Sequence, residues 1–220
     1  MLITIHFAQT LDGRIATRTG DSQWIGGPES LRFAHQLRAS HDAVLVGVGT
    51  VIADNPRLTT RLVEGRSPLR IVADSRLRIP SAANVLTDGA STLIVTTKQA
   101  PERRVEEIRR TGAEVMVANM DAEGRVDLRD VVSILTRREV RSLLVEGGAG
   151  IITSLLKERL CDRLVICIAS RILGRGIEAV GDLGIERLED ALTFSDIKVT
   201  PCGDDVIVDG HLAGVASLVR

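Results

Sequence analysis

The sequence predicts an α/β fold: a mostly parallel, mixed sheet with helices on both faces and an antiparallel hairpin at its C-terminal end. Three observations lead there. Short β-branched runs alternate with amphipathic stretches along 220 residues, the pattern of parallel strands joined by helical crossovers. The last two strand-like runs are separated only by the turn-forming cluster Pro201-Cys202-Gly203-Asp204, which reads as a hairpin. The junction Leu143-Leu144-Val145-Glu146-Gly147-Gly148-Ala149-Gly150 couples an apolar run to an amphipathic one through glycines. No repeat, low-complexity tract or long linker interrupts the chain, so residues 1–220 read as a single domain.

The elements follow in order. Met1-Leu2-Ile3-Thr4-Ile5-His6-Phe7 lacks the basic n-region and cleavage site of a signal peptide and opens a first strand, Leu2–Ala8. A helix over Pro28–Ala39 has Gly27 before it, Pro28 in its first turn, and Leu31, Ala34, Leu37 and Ala39 along roughly one face. Strands are expected at Ala43–Gly47, Leu69–Asp74, Thr92–Thr96 and Glu114–Val117, with a helix at Glu102–Thr111. Asp127 is a plausible N-cap for a helix over Leu128–Arg137. Ser142–Glu146, a helix over Ile151–Arg159, and the strands Arg163–Ala169, Leu192–Thr200 and Asp205–Val208 complete the chain. Thr10 to Pro28 and Gly47 to Arg66 are too polar and glycine-rich for mere connections, and long loops of this kind usually serve ligands.

Composition excludes several functions. A net charge of −1 gives no global attraction for nucleic acid or an anionic membrane, and 2% aromatics with no Tyr offer no base-stacking platform. Cys161, Cys167 and Cys202 form no C-x-x-C pair, so neither a zinc site nor a disulfide framework is indicated; they read as small apolar residues in a reducing cytoplasm. His6, His35, His41 and His211 lack metal-ligand spacing, no metal site is expected, and no apolar stretch approaches a transmembrane span.

Candidate chemistry gathers at strand ends. Two readings fit the Gly147-Gly148-Ala149-Gly150 junction: a phosphate cradle at a helix N-terminus with Glu146 at its rim, and a tight turn needing glycine only for its backbone. It is no ordinary Rossmann fingerprint, because Gly148-Ala149-Gly150-Ile151-Ile152-Thr153 lacks the last glycine and Ser170 falls where an acid belongs. Gly47-Val48-Gly49-Thr50 also follows an apolar strand, with Thr50 and Asp54 able to bond a cofactor, although Asp54-Asn55-Pro56 is equally a turn initiator. Arg38, Arg57 and Arg61 flank that loop and suit a small phosphorylated substrate. Asp74-Ser75-Arg76-Leu77-Arg78 offers a hydroxyl and arginines to a 2′-phosphate, favouring NADP over NAD.

Taken together these segments resemble the reductase of riboflavin biosynthesis, which has the dihydrofolate-reductase-like fold. The matching blocks are Thr10-Leu11-Asp12-Gly13-Arg14-Ile15-Ala16, Asp21-Ser22-Gln23-Trp24-Ile25, Leu37-Arg38-Ala39, Val46-Gly47-Val48-Gly49-Thr50-Val51, Asp54-Asn55-Pro56-Arg57-Leu58-Thr59, Arg70-Ile71-Val72-Ala73-Asp74-Ser75 and Glu146-Gly147-Gly148. Each is weak singly; their order and spacing are specific. The resemblance implies NADPH-dependent reduction of a ribosylaminopyrimidine 5′-phosphate to its ribityl product, with hydride delivered to sugar C1′. It places cofactor contacts on Ala8, Trp24, Gly47, Thr50, Asp54, Ser75 and the turn Gly147, Gly148, Ala149, Gly150 and Ile151. It places substrate contacts on Ser22, Arg38, Leu58, Arg61 and Glu146, with Glu146 stabilising a developing iminium. Trp24, more often a core residue when a tryptophan stands alone, is read as a ligand neighbour on this ground.

His6 departs from the family pattern: bacterial members that act on the deaminated pyrimidine commonly carry lysine there, and archaeal-type members asparagine. His6 is thus a candidate catalytic residue in contact with the pyrimidine, by donating a hydrogen bond to a pyrimidine carbonyl or by changing charge near neutral pH. The zinc-deaminase motifs H-x-E and P-C-x-x-C are missing, so a separate deaminase chain is expected. The resemblance further implies a cytoplasmic homodimer, and the apolar-rich Val208 to Val219 is a candidate packing segment. Two alternatives stand beside this reading: the same chemistry on a related pyrimidine or pterin, and a non-catalytic NADP-binding module.

Overall fold

The computed structural model describes residues 1–213; the candidate packing segment beyond residue 213 lies outside them. The elements run β1 (Leu2–Thr10), β2 (Arg14–Thr17), α1 (Pro28–Ala39), β3 (Ala43–Gly47), α2 (Val48–Asp54), β4 (Leu69–Ala73), α3 (Asn84–Thr87), β5 (Thr92–Thr96), α4 (Glu102–Arg109) and β6 (Glu114–Val117). Then come α5 (Leu128–Arg137), β7 (Ser142–Val145), α6 (Ala149–Lys157), β8 (Arg163–Ala169), β9 (Gly176–Glu178), β10 (Phe194–Cys202) and β11 (Asp205–Leu212). The main sheet has the order β10-β11-β8-β1-β7-β3-β4-β5-β6. Every pairing from β8 to β6 is parallel. The hairpin β10-β11 adds antiparallel strands beside β8, as the sequence predicts.

Period-two alternation builds the three layers. Ile3, Ile5 and Phe7 of β1, Leu45 of β3 and Leu143 and Val145 of β7 pack on one face with Val131, Ile134 and Leu135 of α5 and Ile152 and Leu155 of α6. Val44 and Val46 of β3, Val72 of β4 and Leu144 of β7 pack on the other, with Leu37 of α1, Val51 of α2, Val85 of α3 and Ile108 of α4. Parallel strands buried on both faces require this near-continuous apolarity.

Both expected ligand loops contain regular structure. Thr10–Pro28 holds β2, which pairs antiparallel with β9 as a separate ribbon. Strands of four and three residues carry too little periodicity to be seen in sequence. Gly47–Arg66 begins with α2, whose Gly49, Thr50, Val51 and Ile52 are poor helix formers; burial of Val48 and Val51 against the sheet overrides that propensity. α6 starts at Ala149, two residues earlier than predicted, so the glycine junction abuts the helix directly. β10 starts at Phe194 and keeps Pro201 and Cys202 within it, because an edge strand tolerates a missing N–H; the turn is confined to Gly203-Asp204.

Arg70 is fully buried beneath this scaffold. Its Nη1 donates to Asp88 Oδ1 at 2.6 Å and to the Arg57 carbonyl at 3.1 Å, and its Nη2 to the Val85 and Ala90 carbonyls at 3.0 and 2.5 Å. It thereby ties β4 to the Arg57 loop. Removing the cation strands Asp88 and these carbonyls, so Arg70→Met is expected to cost about 3–5 kcal/mol in urea unfolding at neutral pH. A loss below about 1 kcal/mol would show that the cage adds little to stability.

Candidate active site

The C-terminal ends of β1, β7, β3 and β4 open onto a crevice, the position at which parallel sheets bind ligands. Two adjoining cavities of about 440 and 340 Å³ occupy it, with Ile15, Ser22, Thr50, Asp54 and Gly148 forming a wall common to both.

The larger cavity runs along the sheet edge past β7, β3 and β4. Gly47, Thr50, Asp54, Ser75, Gly148, Ala149, Gly150 and Ile151 line it, all expected at a cofactor. Gly147 has φ +106°, a conformation that glycine adopts without strain. A Cβ on Gly148 would meet Thr50 Oγ1 at 3.2 Å, and one on Gly47 would meet Ile151 Cγ1 at 3.1 Å. At Gly49 and Gly150 a Cβ would enter open space, so backbone is bared to the cleft. Thr50 Oγ1 accepts from Gly148 N–H at 2.9 Å and the Gly147 carbonyl accepts from Gly47 N–H at 3.1 Å, stitching the two glycine turns together. Thr50 and Asp54, four residues apart on α2, share one face. In the first turn of α6 the Ile151 N–H is taken by the Gly148 carbonyl at 3.0 Å, and the N–H groups of Ala149 and Gly150 stand at the helix N-terminus, which suits a phosphate. These features fit a dinucleotide: close backbone approach at the glycines and positive potential at the helix end.

The smaller cavity is lined by His6, Ala8, Trp24, Arg38, Leu58, Arg61, Glu146 and Gly147. Ala8, Trp24 and Gly147, expected at the cofactor, line this cavity, and Trp24 is 62% exposed. Glu146 directly follows β7, and its two oxygens each accept from Arg38 at 2.6 Å, from Nε and from Nη2. Burial alone would raise the Glu146 pKa, but the Arg38 charge and hydrogen bonds outweigh it and hold the carboxyl below its usual range. Arg38 is therefore engaged rather than free for phosphate, and Ser22 Oγ is likewise committed, donating to Asp54 Oδ1 at 2.8 Å. Arg57 and Arg61 bring further positive charge to the wall.

His6 Nδ1 lies 3.0 Å from the Val165 carbonyl, which can only accept, so Nδ1 carries the proton. Burial lowers the ring's pKa, only partly opposed by Glu146. With the proton on Nδ1, Nε2 of the neutral ring is left as an acceptor beside the cavity.

Sequence reasoning overlooked two groups. His35 is buried in α1, and its Nδ1 accepts from Arg61 N–H at 2.9 Å, which sets that loop. Asp121 and Arg125, in the turn after β6, line the far end of the larger cavity; their signal was only their place after the C-terminal end of a parallel strand. Among the described residues there is no cluster able to hold a metal ion and no helix long and apolar enough to cross a membrane.

Residues 1–208 match the family model described as RibD C-terminal domain. The chain is 41% identical over 208 residues to riboflavin biosynthesis protein RibD of Aquifex aeolicus, covering 94% of this chain and 56% of that protein. It thus spans only about half of that relative's length. It is 40% identical over 218 residues to 2,5-diamino-6-ribosylamino-4(3H)-pyrimidinone 5′-phosphate reductase of Methanothermobacter thermautotrophicus, covering 96% of this chain and 98% of that one. Among solved structures, Acinetobacter baumannii RibD superposes with a TM-score of 0.83 at 24% identity, over 96% of this chain and 58% of that one. Enterococcus faecalis dihydrofolate reductase superposes with a TM-score of 0.52 at 14% identity, over 96% of each chain. The fold is dihydrofolate-reductase-like, as expected.

His35 gives a pH prediction. Burial first, then Arg38 and Arg61, depress its pKa from 6.5 to about 4. Between these values the unfolded chain binds the extra proton, so stability is present above pH 6.5 and is lost as pH falls toward 4. His35→Asn keeps an acceptor for Arg61 N–H without titrating. Urea midpoints measured across this range should fall less steeply for the variant; parallel curves would exclude His35 as a source of the dependence.

Proposed function

The chain belongs to the RibD C-terminal domain family, and from that premise we propose that it is an NADPH-dependent reductase of riboflavin biosynthesis. Its substrate is a ribosylaminopyrimidine 5′-phosphate, whose ribosyl group becomes ribityl. The observation that carries the reading is the common wall of the two cavities: Thr50 and Gly148 separate a glycine-lined cleft from a pocket holding an ionised, buried carboxylate.

When bound, the dihydronicotinamide supplies the hydride that reduces sugar C1′. The protein's work is orientation and charge placement. The arginines of the 57–61 loop hold the 5′-phosphate while Arg38 stays on Glu146. Glu146 has no proton to give in this state; it stabilises positive charge on the ring-opened iminium. His6 Nε2 accepts from the 2-amino group of the pyrimidine, the group that deamination replaces, which favours the diaminopyrimidinone named for the Methanothermobacter relative over its deaminated counterpart. Ser75 and Arg78 favour the phosphorylated dinucleotide. The reading includes a cytoplasmic homodimer, supported by exposed Ile197 and Val199 on the edge strand β10.

The test is oxidation of NADPH with the diamino and the deaminated substrates in parallel. The diamino compound should be preferred by about tenfold or more, and Glu146→Gln should lower kcat by about 10²–10³ with the KM for NADPH nearly unchanged. Turnover of neither substrate while NADPH still binds would defeat the reductase reading. Preference for the deaminated compound would remove the role given to His6.

A further inference from the structure

We infer that Arg125, with Arg78 and the Ser75 hydroxyl, forms the seat for the cofactor's 2′-phosphate, and that the Asp121–Arg125 turn sets the preference for NADPH over NADH. The inference rests on the cofactor reading above. Hydride transfer requires the reacting ring at the wall where the two cavities meet, by Thr50 and Gly148. The adenosine half then lies at the opposite end of the larger cavity. There the lining turns ionic: Arg78, Asp121 and Arg125.

The turn is built onto the sheet edge. Asp121 N–H donates to the Arg125 carbonyl at 2.8 Å, and Asp121 Oδ1 accepts from the N–H groups of Glu123 and Arg125 at 2.9 and 2.8 Å. Val126 N–H donates to Ser75 Oγ at 3.0 Å, docking the turn on the end of β4. That bond occupies Ser75 as an acceptor and leaves its hydroxyl proton to donate to an anion. Arg125 reaches Asp121 Oδ2 at 3.0 Å and Glu123 Oε2 at 2.8 Å, with 49% of its side chain exposed. Ion pairs this exposed are weak, so a phosphate dianion competes well for the guanidinium. The pairing also masks Asp121. Without Arg125 the cavity loses a cation and bares a carboxylate to the phosphate, whereas a ribose 2′-hydroxyl is indifferent or favoured.

Calorimetric binding of adenosine 2′,5′-bisphosphate and of AMP tests this without catalysis. The intact chain should bind the bisphosphate more tightly by about tenfold or more. Arg125→Ala should erase most of that margin while AMP binding, which reports an intact cleft, holds within about twofold. Asp121→Asn keeps the turn's acceptor and removes the unmasked charge, so Arg125→Ala/Asp121→Asn should regain part of the margin. Undiminished bisphosphate binding by Arg125→Ala, equal losses for both ligands, or no recovery in the double variant would overturn the assignment. Equal affinity of the intact chain for both ligands would overturn the NADPH reading itself, and the assignment with it.

Discussion

The Glu146 carboxylate sits at the end of β7 with 10% of its side chain exposed, and it stays ionised because Arg38 meets both of its oxygens at 2.6 Å. Neither charge is tolerable there alone. The pairing constrains the rest of the site. It ties Arg38 to the carboxylate, so the further positive charge on that cavity wall comes from Arg57 and Arg61. It also holds the Glu146 carboxyl below its usual range. Arg38 is oriented from α1, Glu146 from β7, and His35 from the same helix as Arg38 sets Arg61. Packing α1 on the sheet therefore assembles the carboxylate, its counter-ion and the loop in one step.

The cofactor side depends on a different constraint, close approach of backbone. The two glycine turns after β3 and β7 bond to each other directly and through Thr50. Side chains at Gly47 and Gly148 would crowd Ile151 and Thr50, whereas Gly49 and Gly150 leave the cleft open. The β2–β9 ribbon contributes Ile15 and Ile177 to the cavity wall and is fastened at Asp12, which accepts from Thr10 Oγ1 and from the N–H groups of Leu173 and Gly174. Those bonds hold the Asp12 pKa at about 2, the Thr10 hydroxyl contributing most.

Much of this was legible in the residues. Strands β3, β5, β6 and β8 and helices α1 and α5 begin and end where periodicity and capping place them, because their apolar faces are continuous and their ends carry turn chemistry. Short elements were not legible: α2, α3, β2 and β9 form through tertiary burial or pairing that leaves no repeat in so few residues. At the crevice, the residues singled out next to strand ends line the two cavities, since parallel topology brings those ends together. Two things lay beyond a one-dimensional reading. One was the Arg38–Glu146 bond, across a separation of 108 residues. The other was the His6 tautomer, set by the Val165 carbonyl on a neighbouring strand.

The central claim is that Glu146 is a carboxylate throughout the working range because Arg38 keeps it so. Isotope-edited infrared titration of the carboxyl, assigned by difference from Glu146→Gln, measures it directly. The account predicts a carboxylate band that persists as pH falls below the ordinary glutamate pKa of 4.5, and a titration that moves upward in Arg38→Met. A protonated Glu146 near neutral pH, or a titration that Arg38→Met leaves in place, would contradict it.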